Sequence, residues 1–168
     1  MLRKVVSGGQ TGVDRGALDA AAACGVACGG WCPRGRRAED GPIPDAYPLR
    51  ETTSSDYRER TQRNVVESDA TLIIARGALS GGTALTRDLA QRAGRPCLLL
   101  DLGSEPRVEP IREWLRAHDV RVLNVAGPRE SQQPGIQREA RRLLTAVLRS
   151  LGTSARDREG ARKHEGYA

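Results

Sequence analysis

Lys4-Val5-Val6-Ser7-Gly8-Gly9-Gln10-Thr11-Gly12-Val13-Asp14-Arg15-Gly16-Ala17-Leu18-Asp19-Ala20-Ala21-Ala22-Ala23-Cys24-Gly25 opens on a short apolar run, breaks at two glycines, and continues with helical spacing. Val13, Ala17, Ala20, Ala21 and Cys24 fall on one side of a helix expected over residues 13–24, with Gly25 as its stop. Strand, glycine turn and amphipathic helix form the first part of a βα unit. The same rhythm recurs along the chain. Strands are expected at 4–7, 26–29, 70–75, 97–102 and 120–125, and helices at 13–24, 56–67, 83–93, 110–118 and 134–151. Thr71-Leu72-Ile73-Ile74 and Cys97-Leu98-Leu99-Leu100 are continuous rather than alternating, as in parallel strands covered on both faces. The pattern predicts an open, parallel, five-stranded Rossmann-like α/β sheet with helices on both faces. Numbering the five expected strands in chain order, their order in the sheet is expected to be 2-1-3-4-5.

The chain has 168 residues, the size of one domain, here residues 1–151. Leu, Ile and Val supply only 33 of them and Phe none, so the core must lean on alanine and close backbone packing. Residues 30–55 do not fit the rhythm and are expected to form a long irregular insertion over the site. Residues 152–168 are polar and expected to form a frayed tail. No apolar run approaches the ~20 residues that cross a bilayer, and no hydrophobic signal segment opens the chain, so a cytoplasmic protein without a membrane span is expected.

Net charge is +6, carried by 25 Arg and 2 Lys, which suits small anionic partners. Single-stranded nucleic acid asks for aromatic stacking platforms in a basic groove. Only Trp31, Trp114, Tyr47, Tyr57 and Tyr167 carry rings, which argues against that partner. Cys24, Cys28 and Cys32 are spaced three apart, but Cys24 falls at a helix end and Cys28 in a strand. His118 and His164 lie far from them, so no metal site is read there.

The glycine turn Ser7-Gly8-Gly9-Gln10-Thr11-Gly12 lets backbone approach a ligand, and Thr11-x-x-Asp14 has capping-box spacing for the helix that follows. Free amides and the positive helix end make an anion site, to which Arg15 adds charge. Arg76-Gly77-Ala78-Leu79-Ser80-Gly81-Gly82-Thr83 is a second glycine turn entering a helix. In the order 2-1-3-4-5 the two turns flank the topological switch point, where α/β sheets bind ligands. Gly8, Gly9, Gln10, Thr11, Gly12, Asp14, Arg15, Ser80, Gly81, Gly82 and Thr83 are therefore the expected binding residues. The insertion adds Arg36, beside Arg34 and Arg37, as an anion clamp. Glu39, Asp40 and Asp88 are the carboxylates available for acid–base chemistry. Arg60 and Asn64 recur on one side of the second helix: that side is either simply exposed or, if it faces inward, takes its partner from a ligand or from the insertion, and both residues join the expected binding set. Asn124-Val125-Ala126-Gly127-Pro128-Arg129-Glu130-Ser131 is read as capping its own helix or reaching a neighbouring subunit.

The first glycine turn, Gly30-Trp31-Cys32-Pro33 with Ala38-Glu39-Asp40-Gly41, Gly81-Gly82-Thr83-Ala84-Leu85-Thr86 and Asn124 to Ser131 together resemble the molybdenum carrier family of the Rossmann-like SLOG superfamily. That superfamily also holds cytokinin-activating phosphoribohydrolases and DNA-processing DprA proteins. The resemblance covers residues 4–151. It implies a homo-oligomeric carrier of an anion, either molybdenum cofactor or molybdate. Against the phosphoribohydrolase pattern P-G-G-x-G-T-x-x-E, the second Gly-Thr is missing and Asp88 stands in place of the glutamate. The leading expectation is a binding protein holding an anion between the two glycine turns. The alternatives are a nucleotide N-glycosidase and a DprA-like single-strand binder.

Overall fold

The computed structural model describes residues 1–103 and 108–164, with side chains through residue 152. In chain order the strands are β1 (Lys4–Val6), β2 (Ala27–Cys32), β3 (Arg37–Ala38), β4 (Gly41–Pro42), β5 (Leu49–Glu51), β6 (Ala70–Ala75), β7 (Cys97–Asp101) and β8 (Val122–Ala126). The helices are α1 (Val13–Ala23), α2 (Tyr57–Val66), α3 (Gly81–Arg92), α4 (Val108–Ala117) and α5 (Ile136–His164). Six strands form one sheet in the order β5-β2-β1-β8-β6-β7, and every neighbouring pair is parallel. β3 and β4 form a separate antiparallel hairpin. Among the described residues no helix is long and apolar enough to cross a membrane.

The Rossmann-like α/β architecture agrees with the sequence reading, but the strand order corrects it. The last strand, expected at an edge, lies between β1 and β6, so the order is not 2-1-3-4-5. Burial explains the placement. Leu123, Asn124, Val125 and Ala126 are all buried, which suits a central strand, whereas Leu99 in the edge strand β7 is half exposed. The sheet has six strands rather than five because the insertion supplies β5, which pairs with β2 from Gly30↔Leu49 to Cys32↔Glu51. The insertion is therefore not irregular: it contains a hairpin and an edge strand. The sequence ends the last helix at residue 151, whereas α5 is continuous to His164. The expected tail over 152–168 falls almost wholly outside the residues whose side chains are described.

Parallel partners share a face of the sheet. Val5, Leu72, Ile74, Leu123 and Val125 join Val13, Ala17, Ala20 and Ala21 of α1, Ile111 and Leu115 of α4, and Ile136, Leu144 and Val147 of α5 in one apolar cluster. The opposite face, under α2 and α3, is the more polar one, although Val6, Ile73, Ala75 and Ala126 are buried there. Buried Asn124 donates from Nδ2 to Thr71 Oγ1 at 3.2 Å, and Thr86 Oγ1 donates to the Gly82 carbonyl at 2.8 Å. Apolar burial on the first face supplies most of the driving force. The second face bonds most of its polar groups internally, Arg60 Nε being a buried donor without a hydrogen-bond partner among the described residues.

Gly127, just after β8, lies where a Cβ would sit 2.2 Å from the Ile74 carbonyl oxygen and 2.5 Å from Val13 Cγ2. Neither neighbour can move without shifting a strand or the start of α1. Gly127→Ala is expected to lower stability by about 2–3 kcal/mol, read as a lower urea midpoint at unchanged slope.

Candidate functional site

Turns after parallel strands all emerge at the same edge of the sheet. Here three meet side by side: residues 7–12 after β1, 127–135 after β8 and 76–80 after β6. With β8 between them, β1 and β6 are two strand spacings apart, roughly 10 Å. The two glycine turns therefore do not face each other across one crevice, as the expected order required.

The first turn is buried and packed with protein. A Cβ on Gly8 would fall 1.6 Å from Arg60 Nη1, so Arg60 occupies the space that a ligand was expected to take. Gly9 (φ +76) faces Leu49 and Ile43 of the insertion, and Gly12 (φ +80) faces the Pro128 carbonyl. Gly12, not Thr11, caps α1, and no side chain closes that cap. The expected capping box does not form, because the Thr11 hydroxyl is drawn away to Glu39. Asp14 instead accepts from the Gln10 amide at 3.3 Å and from Arg60 Nη1 at 3.2 Å. Burial pushes the Asp14 carboxyl up, and the Arg60 charge only partly offsets it.

The insertion acts as a strap over this turn. Gln10 Oε1 accepts from the amides of Thr11 (3.1 Å) and Glu39 (2.9 Å). Glu39 accepts from the hydroxyls of Thr11 and Ser131 and from the Ser131 amide at 3.2 Å, joining strap, first turn and β8 loop. Arg15 holds Asp40 with two parallel bonds of 2.6 and 2.8 Å while its Nε donates to the Gly9 carbonyl. Arg36 (φ +50) donates to the carbonyls of Ile43, Pro44, Leu49 and Tyr47. Arg15, Arg36, Glu39 and Asp40 are thus engaged in fastening the strap. On α2, Arg60 and Asn64 find protein partners too: Asn64 bonds the Trp31 amide (2.8 Å) and carbonyl (3.0 Å).

The second turn differs. Ser80, Gly81 and Gly82 are exposed, and a Cβ on Gly77, Gly81 or Gly82 would meet nothing within 4 Å. Ser80 caps α3 with its backbone, its side chain making no cap bond. The amides of Thr83 and Ala84 both donate to the Ser80 carbonyl at 3.2 Å. Those of Gly81 and Gly82, at the start of the helix, have no acceptor among the described residues. Thr83 is buried beneath them. Asp88 lies farther along α3, ion-paired to exposed Arg87 at 2.8 Å.

The loop after β8 carries what the sequence reading left as a cap. Gln133 bridges to the β6 turn, accepting from the Arg76 amide and donating to its carbonyl, each at 2.9 Å. Arg129 places its guanidinium 5.2 Å from the centre of the Tyr57 ring, which Arg60 approaches at 5.9 Å. No carboxylate lies within ion-pair distance of Arg129 among the described residues. The run Gly127-Pro128-Arg129 held the signal: a glycine and an arginine directly after a fully buried strand. Among the described residues no three Cys, His, Asp or Glu gather as a metal site.

Counting from β8 through α5 to β1 makes β8 the first strand, β1 the second, β2 the third, β6 and β7 the next two. The order then reads 3-2-1-4-5 with β5 added at the edge, the doubly wound order of dinucleotide-binding folds. The molecule is thus a Rossmann-like domain with a rotated chain order, its switch point between β8 and β6. The chain belongs to the circularly permutated YpsA SLOG family, whose model matches residues 5–148. It is similar to a solved structure described as a putative molybdenum carrier protein from Syntrophus aciditrophicus SB. The two share 44% identity over 88% of this chain and 94% of that one, with a TM-score of 0.82. No curated protein matches.

Burial works to raise the Glu39 carboxyl, but the Ser131 and Thr11 hydroxyls and the Ser131 amide outweigh it and hold it below the ordinary value of 4.5. A carboxylate with a depressed pKa stabilises the closed strap above its ordinary value, and that contribution disappears as pH falls through the depressed one. Amide exchange of residues 37–43 is expected to rise as pH drops below 4.5, after correction for intrinsic rates. Glu39→Gln should raise it about tenfold already at neutral pH and lessen its pH dependence, the remainder coming from Asp40, which Arg15 likewise holds below its ordinary value.

Proposed function

We propose that the chain is a carrier for a small anion, of the molybdate, phosphorylated molybdenum-cofactor or nucleotide-phosphate type. The anion seats on the N-terminal turn of α3 at the switch point between β8 and β6. One observation carries the reading: of the two glycine turns, the α3 turn alone combines exposed glycines with two helix-start amides that lack protein acceptors. An oxyanion satisfies such amides and complements the positive helix end. Ser80, Gly81, Gly82 and Thr83 supply amides and hydroxyls, and Arg129 supplies charge from the neighbouring loop. The first turn and its arginines hold the strap and the β8 loop in place rather than touching the anion. The name of the similar solved protein supports molybdenum as the cargo. Among the described residues Asp101 accepts from the Gly77 amide of the α3 turn at 3.1 Å and from the Gly103 amide at 2.8 Å, so it is held as an acceptor, while Glu39 and Asp40 fasten the strap and Asp88 is paired with Arg87. A carrier is therefore favoured over a hydrolase.

Calorimetric titration with molybdate, tungstate and adenosine monophosphate, with sulfate for comparison, tests this. At least one of the first three is expected to bind more tightly than sulfate. Gly82→Val, which places a side chain in the open space, is expected to remove the heat, and Arg129→Gln to weaken binding about tenfold or more. Gly82→Val binding as well as the unmodified chain, or no heat from any of the three anions, would overturn the assignment.

A further inference from the structure

A second concavity, of about 220 Å³, opens on the polar face of the sheet beside the C-terminal half of α2, among its lining residues Lys4, Gly30, Trp31, Arg50, Asn64 and Glu67. Lys4 is the only lysine among the residues with described side chains. Its stem passes Gly29, where a Cβ would lie in ordinary contact with it, 3.5 Å from Lys4 Cε and 3.7 Å from Nζ. Lys4 as a residue is partly buried, and its ammonium has no hydrogen-bond or ion-pair partner among the described residues. Desolvating an ammonium without a counter-charge is unfavourable, and here the cavity offers a place for one.

Trp31 forms the aromatic wall and is fixed from three sides. Asn64 holds its amide and carbonyl, Glu67 accepts from its indole N–H at 2.8 Å, and the Arg63 guanidinium lies 4.5 Å from the ring centre. Arg50 stands 5.9 Å from the same ring and, like Lys4, has no carboxylate partner among the described residues. Arg63 is neutralised by Glu59 at 3.1 Å. Two unpaired cations thus face one carboxylate, Glu67, one of whose oxygens already accepts the indole proton. The lining favours a single negative charge. The volume lies below the ~300 Å³ at which sites for drug-sized ligands begin, so a whole nucleotide is too large.

We propose that this cavity is a second ligand site, taking a small organic monoanion with a planar apolar body. Its carboxylate pairs with Lys4 and Arg50 and its body lies along Trp31. The site is separate from the α3 turn and does not depend on the carrier reading.

Benzoate, with neutral benzamide as its uncharged counterpart, is the probe. Trp114→Phe leaves Trp31 as the only tryptophan, and its emission is expected to change saturably with benzoate and not with benzamide. In parallel, the Trp31 indole N–H signal of the unmodified chain should shift in a nitrogen–proton NMR titration, which needs no substitution. Lys4→Met should weaken benzoate about tenfold or more while Lys4→Arg retains most affinity, and Lys4→Met should leave any molybdate heat unchanged. Equal responses to benzoate and benzamide, a benzoate response that never saturates, or full affinity in Lys4→Met would each overturn the proposal.

Discussion

β8 hydrogen-bonds to β1 on one side and β6 on the other, and this double pairing determines where everything at the carboxyl edge lies. A strand so placed must be covered on both faces, and its residues from Leu123 to Ala126 are buried. It also brings its outgoing loop between the two glycine turns. Gly127 permits this because the loop runs against the Ile74 carbonyl and Val13, leaving no room for a side chain. The first turn then meets the β8 loop at Gly12 and at Thr11, and the β6 turn meets it at Gln133. The edge is one cross-bonded assembly.

Within that assembly the arginines divide into two kinds. Arg15, Arg36 and Arg60 were read as anion ligands, yet each is held by groups of the chain itself: Asp40, a set of loop carbonyls, and Asp14. A buried guanidinium without such a partner would be costly, so the fold supplies one. Arg129 makes no ion pair among the described residues and rests on an aromatic ring, its charge also acting on Glu39. Charge is therefore available to a ligand at the β8 loop and not at the β1 turn. The open amides of α3 lie one strand further on.

Much of the fold was legible because its signals were local. Continuous apolar runs marked β6 and β7, and helical spacing and stop residues located the helices to within a few residues, except that α5 continues past its expected end at 151 to His164. What the sequence concealed was long-range. Nothing in Val122-Leu123-Asn124-Val125-Ala126 says which strands it joins, and chain order is a poor guide once the order has been rotated. The short edge strand β5, Leu49–Glu51, was hidden because three residues carry no periodicity and take their form from pairing with β2. For the site, residue identity suggested ligands, but partners decided otherwise. The spacing of Arg60 and Asn64 left open an exposed face, a ligand or the insertion as their surroundings, and the structure gives them Asp14 and the Trp31 backbone as partners.

The rotation also explains why two similar glycine turns have different roles. In a doubly wound sheet, ligand space arises where connections leave neighbouring strands in opposite directions, because only there do helices diverge and leave the strand ends uncovered. In this chain those strands are β8 and β6, whatever their positions in sequence. β1 lies outside the divergence, next to β2, and its turn is free to be covered. The strap covers it with Leu49 and Ile43 over Gly9, and is itself fixed by Glu39 and Asp40. A glycine turn is thus a capacity for close approach by any group. Whether a ligand or the protein makes that approach follows from the turn's distance to the switch, and a strand order read from sequence alone cannot supply that distance.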